Sequence, residues 1–220
     1  MGIPVLIIGK SGSGKSTSLR NCRDFAVFNV IGKPLPFRDQ PKTKVSDDYN
    51  VIMKGLKVCK AKSIAIDDAG YLMTNQFMRG HSSKGKGNDV YGFYNDIADS
   101  FWSLIEFVKK LPEDKIVYIM MHTDVDDYGN VKPKSIGKLL DDKVCIEGLF
   151  TIVLHSKYSD GKYVFSTKTD GSDVAKTPLE MFDSVEIDND LKAVDTAIRD
   201  YYELNSALNE QQEENENAKA

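Results

Sequence analysis

The sequence predicts an α/β fold: a mostly parallel sheet flanked by helices, with an antiparallel strand pair at one edge. Three observations carry this expectation. Short apolar runs recur along the chain, helical patterns separate them, and one tight-turn signal lies between two closely spaced runs. In order, the runs are residues 5–8, 25–31, 63–66, 116–121, 150–154 and 163–165. Several are continuously apolar, the pattern of parallel strands covered on both faces. Residues 46–60 set Val51, Ile52, Leu56 and Cys59 on one helical stripe. Residues 95–111 do the same with Ile97, Phe101, Leu104, Ile105, Val108 and Leu111. Ser159-Asp160-Gly161, between the last two runs, supplies the hairpin and hence the antiparallel pair. Residues 190–208 read as a closing helix with Leu191, Val194, Ile198, Tyr201 (or Tyr202) and Leu208 on one side. The expected organisation is a core over 1–187, a C-terminal helix over 188–209 and an acidic, disordered tail over 210–220.

Composition narrows the setting. The chain has 220 residues, 41% of them hydrophobic, enough for one core plus a tail. Of the net charge of −4, the tail's four Glu and one Lys account for most, so the body is nearly neutral and any basic surface must be local. Cys22, Cys59 and Cys145 lack metal-ligand spacing and read as reduced thiols. No apolar run approaches a membrane span, and no secretory signal precedes the first run. The expected location is the cytoplasm, that of a host cell if the chain is phage-encoded.

The stretch Gly9-Lys10-Ser11-Gly12-Ser13-Gly14-Lys15-Ser16 follows the first run directly and fills every fixed position of the phosphate-binding loop pattern. Its glycines let backbone N–H groups curl around phosphate oxygens without Cβ atoms in the way. Lys15 is expected to reach the β- and γ-phosphates and the Ser16 hydroxyl to sit on Mg²⁺. A helix starting at Ser16, with Thr17 in its first turn, would turn its positive end to the anion. The expected ligands are ATP and Mg²⁺. A guanine-reading Asn-Lys-x-Asp motif is absent, which argues against a GTPase. A small nucleotide kinase would clamp two sets of phosphates with several arginines, and the five here are scattered.

"KSIAIDDAGYLM", residues 62–73, places two aspartates at the end of an apolar strand. Asp67 is expected to hold Mg²⁺ opposite Ser16. Asp68 or Asp39 would supply the carboxylate that polarises the attacking water. Adjacent strand residues point to opposite faces, which counts against Asp68 and leaves a polar strand terminus as its plain reading. His122 ends the fourth run in "YIMMHTD", where ligands bind in such sheets, and is expected to sense the γ-phosphate. His155 ends the next run and carries a weaker version of that argument.

Two long segments read as mobile and basic. Residues 74–92 carry Arg79, His81, Lys84 and Lys86 among flanking aromatics, and suit a loop that tracks a phosphate backbone and stacks bases. Residues 127–148 carry Lys132, Lys134, Lys138 and Lys143, and hang from the strand of His122.

This order of parts resembles the recombinase-core ATPases of the RecA-like P-loop fold. It looks more specifically like the small phage-encoded, Sak-type single-strand-annealing ATPases, through "FSTKTDGSDVAKTPLEMF" at 165–182; the resemblance covers about residues 3–185. It implies that Lys15, Ser16 and Asp67 bind MgATP, and that His122 takes the sensor place often held by Gln. It also implies that the two basic segments bind single-stranded DNA. Lys168 would act on the γ-phosphate of a neighbouring subunit in a homo-oligomeric ring or filament. A single-strand-binding protein or another replication partner is implied as well. The chain departs from the recombinases in having no clear glutamate after the second strand, their catalytic acid. The alternatives are a nucleotide-dependent adaptor of a replication or packaging complex, or a small nucleotide kinase.

Overall fold

The computed structural model describes residues 1–84, 90–137 and 139–204. The six apolar runs all lie within or across strands of one sheet: β1 (Ile3–Gly9), β2 (Ala26–Asn29), β4 (Ser63–Asp67), β5 (Ile116–Val125), β7 (Ile152–Ser159) and β8 (Lys162–Ser166). Three more strands, β3 (Lys42–Val45), β6 (Val131–Pro133) and β9 (Glu186–Asp188), escape the apolar pattern because each is short and lies at an edge. All four β3 residues are exposed, and its Lys42 and Lys44 blunt that edge against further pairing.

The sheet order is β3-β2-β4-β5-β1-β7-β8-β9, with β6 paired to β5 alone. β1 lies between β5 and β7, parallel to both, in register from Ile3↔Ile116 to Gly9↔His122 and from Val5↔Ile152 to Ile8↔His155. β7, β8 and β9 are antiparallel and form the expected edge.

Strand alternation divides the interior into two cores. Leu6, Ile8, Ile66, Ile119 and Val153 face one side. There they meet Ile52 and Leu56 of α1 (Tyr49–Val58), Leu72 and Met73 of α2 (Gly70–Lys84), and Phe101 and Leu104 of α3 (Val90–Lys109). Val5, Ile7, Tyr118 and Leu154 face the other side, against Leu19 and the Leu191–Val194–Ile198 stripe of α4 (Leu191–Tyr201). Each fully buried Leu or Ile contributes roughly 1.5–3 kcal/mol relative to exposure. Two helices begin on aspartate caps: Asp48 accepts from Asn50 N and Val51 N, and Asp190 from Lys192 N. Among the described residues no helix is long and apolar enough to cross a membrane.

Three expectations need correction. The loop expected over 74–92 is mostly helix, with α2 running to Lys84 and α3 beginning at Val90. Its polar composition is overridden by tertiary packing, because Phe77 stacks on Phe93 at 6.2 Å and on Tyr94 at 5.8 Å. Gly80 belongs to that packing: a Cβ there would come within 2.4 Å of the Phe93 ring. The loop expected over 127–148 contains β6, a π-helical turn (Leu139–Val144) and a 3₁₀ turn (Ile146–Leu149). The helix expected from Ser16 is a six-residue 3₁₀ turn, Ser16–Asn21, since β2 starts at Ala26 and leaves no room for more.

Candidate nucleotide site

The glycine loop sits where the central strand leaves the sheet. Gly9 pairs with His122, so the C-terminal ends of β1 and β5 open side by side. A Cβ at Gly9 would lie 2.3 Å from Ser13 Oγ and 2.6 Å from Ser156 O, so only glycine lets the loop fold back on β7. Gly14 has φ +101, and Tyr163 of β8 packs on it from outside. Lys15 reaches back under the loop, where its Nζ donates to Gly9 O at 2.8 Å and Lys10 O at 2.9 Å. Burial lowers its pKa to about 8, against the opposing charges of Asp68 and Asp67.

Ser16 Oγ donates to both carboxylate oxygens of Asp67, at 2.9 and 3.0 Å. Asp67 ends β4 fully buried, and that burial, followed by the charge of Asp68, raises its pKa to about 6. A buried carboxylate that is costly to ionise, facing a hydroxyl, is a donor pair suited to a hard divalent cation, so these residues fit Mg²⁺.

Asp68 departs from the strand reading. β4 stops at Asp67, and Asp68 takes a left-handed conformation with φ 57. The alternation of a strand therefore no longer applies to it, and its carboxylate lines the same cavity as the glycine loop. It is 1% exposed. Lys33 Nζ lies 2.6 Å from Oδ2 and His122 Nε2 lies 3.3 Å from Oδ1. Burial alone would raise its pKa, but the bonds from His122 and Lys33 outweigh it and hold the group at about 2. Tyr71 packs edge-on against the His122 ring.

Lys33 is the cavity-lining cation that sequence reasoning missed. Its turn is shaped by Asn29, which accepts from Gly32 N at 2.8 Å and donates to Lys33 O at 2.6 Å. Since Asn29 pairs with Asp67 across the sheet, a Gly-Lys turn just after the strand beside the aspartate strand was the available signal. The resulting cavity, about 260 Å³, brings together Gly12, Gly14, Lys15, Ser16, Thr17 and Asp68, with Lys33 and His122 at its rim.

Other expected residues lie elsewhere. Asp39 pairs with Arg23 at 2.8 Å on the surface and lines neither this cavity nor the one beside it. His155 is buried against Asp173, with Nδ1 2.6 Å from Oδ2, outside both. Lys168 is exposed beyond the end of β8 and also lines neither. Arg79 is held by Asp47 at 2.5 Å in a groove that Asp48, Asp96 and Asp99 also line. His81 stacks on Phe77, and Lys84 is exposed at the end of α2. Lys132 lies in β6 and Lys134 just beyond it, outside the nucleotide cavity, with Lys134 N donating to His122 O at 2.8 Å. Lys86, Lys138 and the tail over 210–220 lie outside the described residues.

A parallel sheet with β1 at its centre and a glycine loop closed by a lysine and an aspartate strand defines a P-loop ATPase domain. The chain belongs to the AAA domain family, whose model matches residues 1–179. No curated protein matches the chain.

The two aspartates should separate cleanly by substitution. Asp67→Asn is expected to raise the Mg²⁺ concentration needed for half-maximal turnover by about tenfold or more, since it removes a charge from the cation's place. Asp68→Asn should leave MgATP affinity nearly intact and slow turnover by about a hundredfold. A titration of turnover against Mg²⁺ for both variants checks this, and the reverse pattern would exchange the roles.

Proposed function

We propose that this AAA-type domain is a Mg²⁺-dependent ATPase that binds single-stranded DNA and acts in phage-type annealing, recombination or replication. The observation that carries the reading is the continuity of β5. His122 touches the Asp68 carboxylate in the cavity, and from the next residue, Thr123, the same strand pairs with β6, which carries Lys132 and leads into Lys134. A change at the phosphate would therefore be passed directly to a hairpin that offers Lys132 and Lys134 to a phosphodiester backbone beside its own Asp124, Asp126 and Asp127.

In this reading Lys15 neutralises charge developing on the β- and γ-phosphates, and the backbone of Gly12–Ser16 cradles them. Ser16 and Asp67 would hold Mg²⁺, which would supply further charge neutralisation to the phosphates. Lys33 leaves Asp68 for the γ-phosphate. Asp68, released from the Lys33 ammonium, becomes basic enough to orient and deprotonate water, with His122 fixing its other oxygen. Lys168, exposed and remote in its own subunit, would serve the neighbouring site of a homo-oligomer.

Single-stranded DNA should raise ATP turnover by about tenfold or more at low salt, with the gain fading as salt is added. Phosphate release measured with and without an oligonucleotide tests this, and equal rates would leave the adaptor reading. One observation favours that second reading. The Arg79 region, expected to contact DNA, is neutralised by Asp47 and flanked by three more aspartates, a surface that repels nucleic acid and suits a basic protein partner.

A further inference from the structure

Beside the nucleotide cavity lies a second and larger one of about 470 Å³. The two share Ser11, Lys33 and His122, so they meet at the end of the glycine loop where a γ-phosphate falls. The second cavity is floored by Gly70 and Tyr71 at the start of α2 and walled by the β5–β6 hairpin.

Its chemistry is one-sided. Lys33 and Lys134 both line it, with His122 between the two elements that carry them, and among the described residues no Asp or Glu lines it. Thr74 and Thr123 add hydroxyls, and Thr123 Oγ1 is buried without a hydrogen-bond partner among the described residues. A buried hydroxyl left unsatisfied is costly, and since the Lys33 ammonium already rests on Asp68, Lys134 is the charge that an entering anion would chiefly meet. Lys33 is the member that faces both spaces, since it lies against Asp68 in the first and lines the second.

We infer that this cavity is a second phosphate site, which takes one tetrahedral phosphate group next to the γ-phosphate position. The inference rests on the nucleotide reading above. Lys33 and Lys134 supply the charge, and a rotation of the Thr123 side chain brings its buried, unpartnered hydroxyl to the anion. Two sources share this chemistry: the phosphate cleaved from ATP, passing through on its way out, and a phosphodiester group of a bound strand, for which the volume also suffices. In either case occupancy draws Lys134 inward, and because Lys134 N is bonded to His122 O, the hairpin and the γ-phosphate end of the site settle together.

The test is a calorimetric titration of the full chain with MgADP and then with orthophosphate, for the wild type, Lys134→Ala and Thr123→Val. Orthophosphate should bind the MgADP-loaded wild type. Lys134→Ala should weaken that step by about tenfold, and the nearly isosteric Thr123→Val by a smaller but measurable factor, with the MgADP step little altered. Normal MgADP binding without any phosphate step overturns the inference alone, as does a phosphate step unchanged in both variants. Failure of MgADP itself to bind overturns the nucleotide reading and this inference with it, a distinguishable result. A final arm adds oligothymidylate. Displacement of orthophosphate assigns the cavity to a phosphodiester, whereas retention assigns it to the cleaved phosphate, and both outcomes support a phosphate site.

Discussion

Lys15→Ala should lower ATP turnover by at least about a hundredfold, the scale of losing one preorganised donor to a charge that develops in the transition state. The ammonium is already aimed. It is 5% exposed, held by two loop carbonyls, and its nearby anions among the described residues are the carboxylates of Asp67 and Asp68 at the end of β4. Burial has lowered its pKa to about 8, so near neutrality it is still mostly charged, and a nucleotide's phosphates would hold the proton more firmly. Arginine should not rescue the variant, because its planar fork cannot occupy a space shaped for a point charge between two carbonyls. Phosphate release at saturating Mg²⁺ measures the effect, with the melting temperature as a control for folding. Turnover equal to that of the wild type would remove the glycine loop from the chemistry.

The second large effect concerns stability and lies at the other end of the strands. Asp195 of α4 is 1% exposed and accepts from Ser63 Oγ at 2.6 Å, Tyr118 Oη at 2.9 Å and Arg199 Nε at 2.9 Å. Arg199 continues the network to Ser63 Oγ and to the backbone oxygen of Asp114. Asp195→Ala leaves a buried guanidinium and a buried phenol without their acceptor, and should cost about 3–5 kcal/mol. Asp195→Asn keeps an acceptor and should cost less. Urea midpoints at constant slope report both values. A loss below about 1 kcal/mol would mean that the network adds little beyond the apolar packing of α4 around it.

Much of the site was legible because its signals are local. The glycine loop is contiguous, Asp67 follows directly on its strand, and β1, β4, β5 and β7 declare themselves by continuous apolar runs. What was not legible depends on residues far apart in the chain. α2 ends in "GHSSK", a poor helical sequence, and stands because Phe77 meets Phe93 and Tyr94 of α3. Asp68 joins the site through a single left-handed φ angle, which no side-chain pattern announces. Lys33 belongs there only because β2 lies beside β4, a matter of sheet order. The brevity of the turn after Ser16 follows from the early start of β2 and not from helix propensity.

The central position of β1 has a consequence for how the molecule is made. β1 ends at Gly9, yet the strands that flank it begin at Ile116 and Ile152. During synthesis the glycine loop therefore emerges long before either wall of its own sheet, while the β2–β4 region can already gather around α1. Long loops must close before β1 is paired, and such closure is slow. Throughout that interval the stretch from Val5 to Ile8, apolar and unpaired, is what a nascent chain must keep from sticking to its neighbours on the polysome. The nucleotide site is thus begun more than a hundred residues before its flanking strands and completed late, once β7 has left the ribosome.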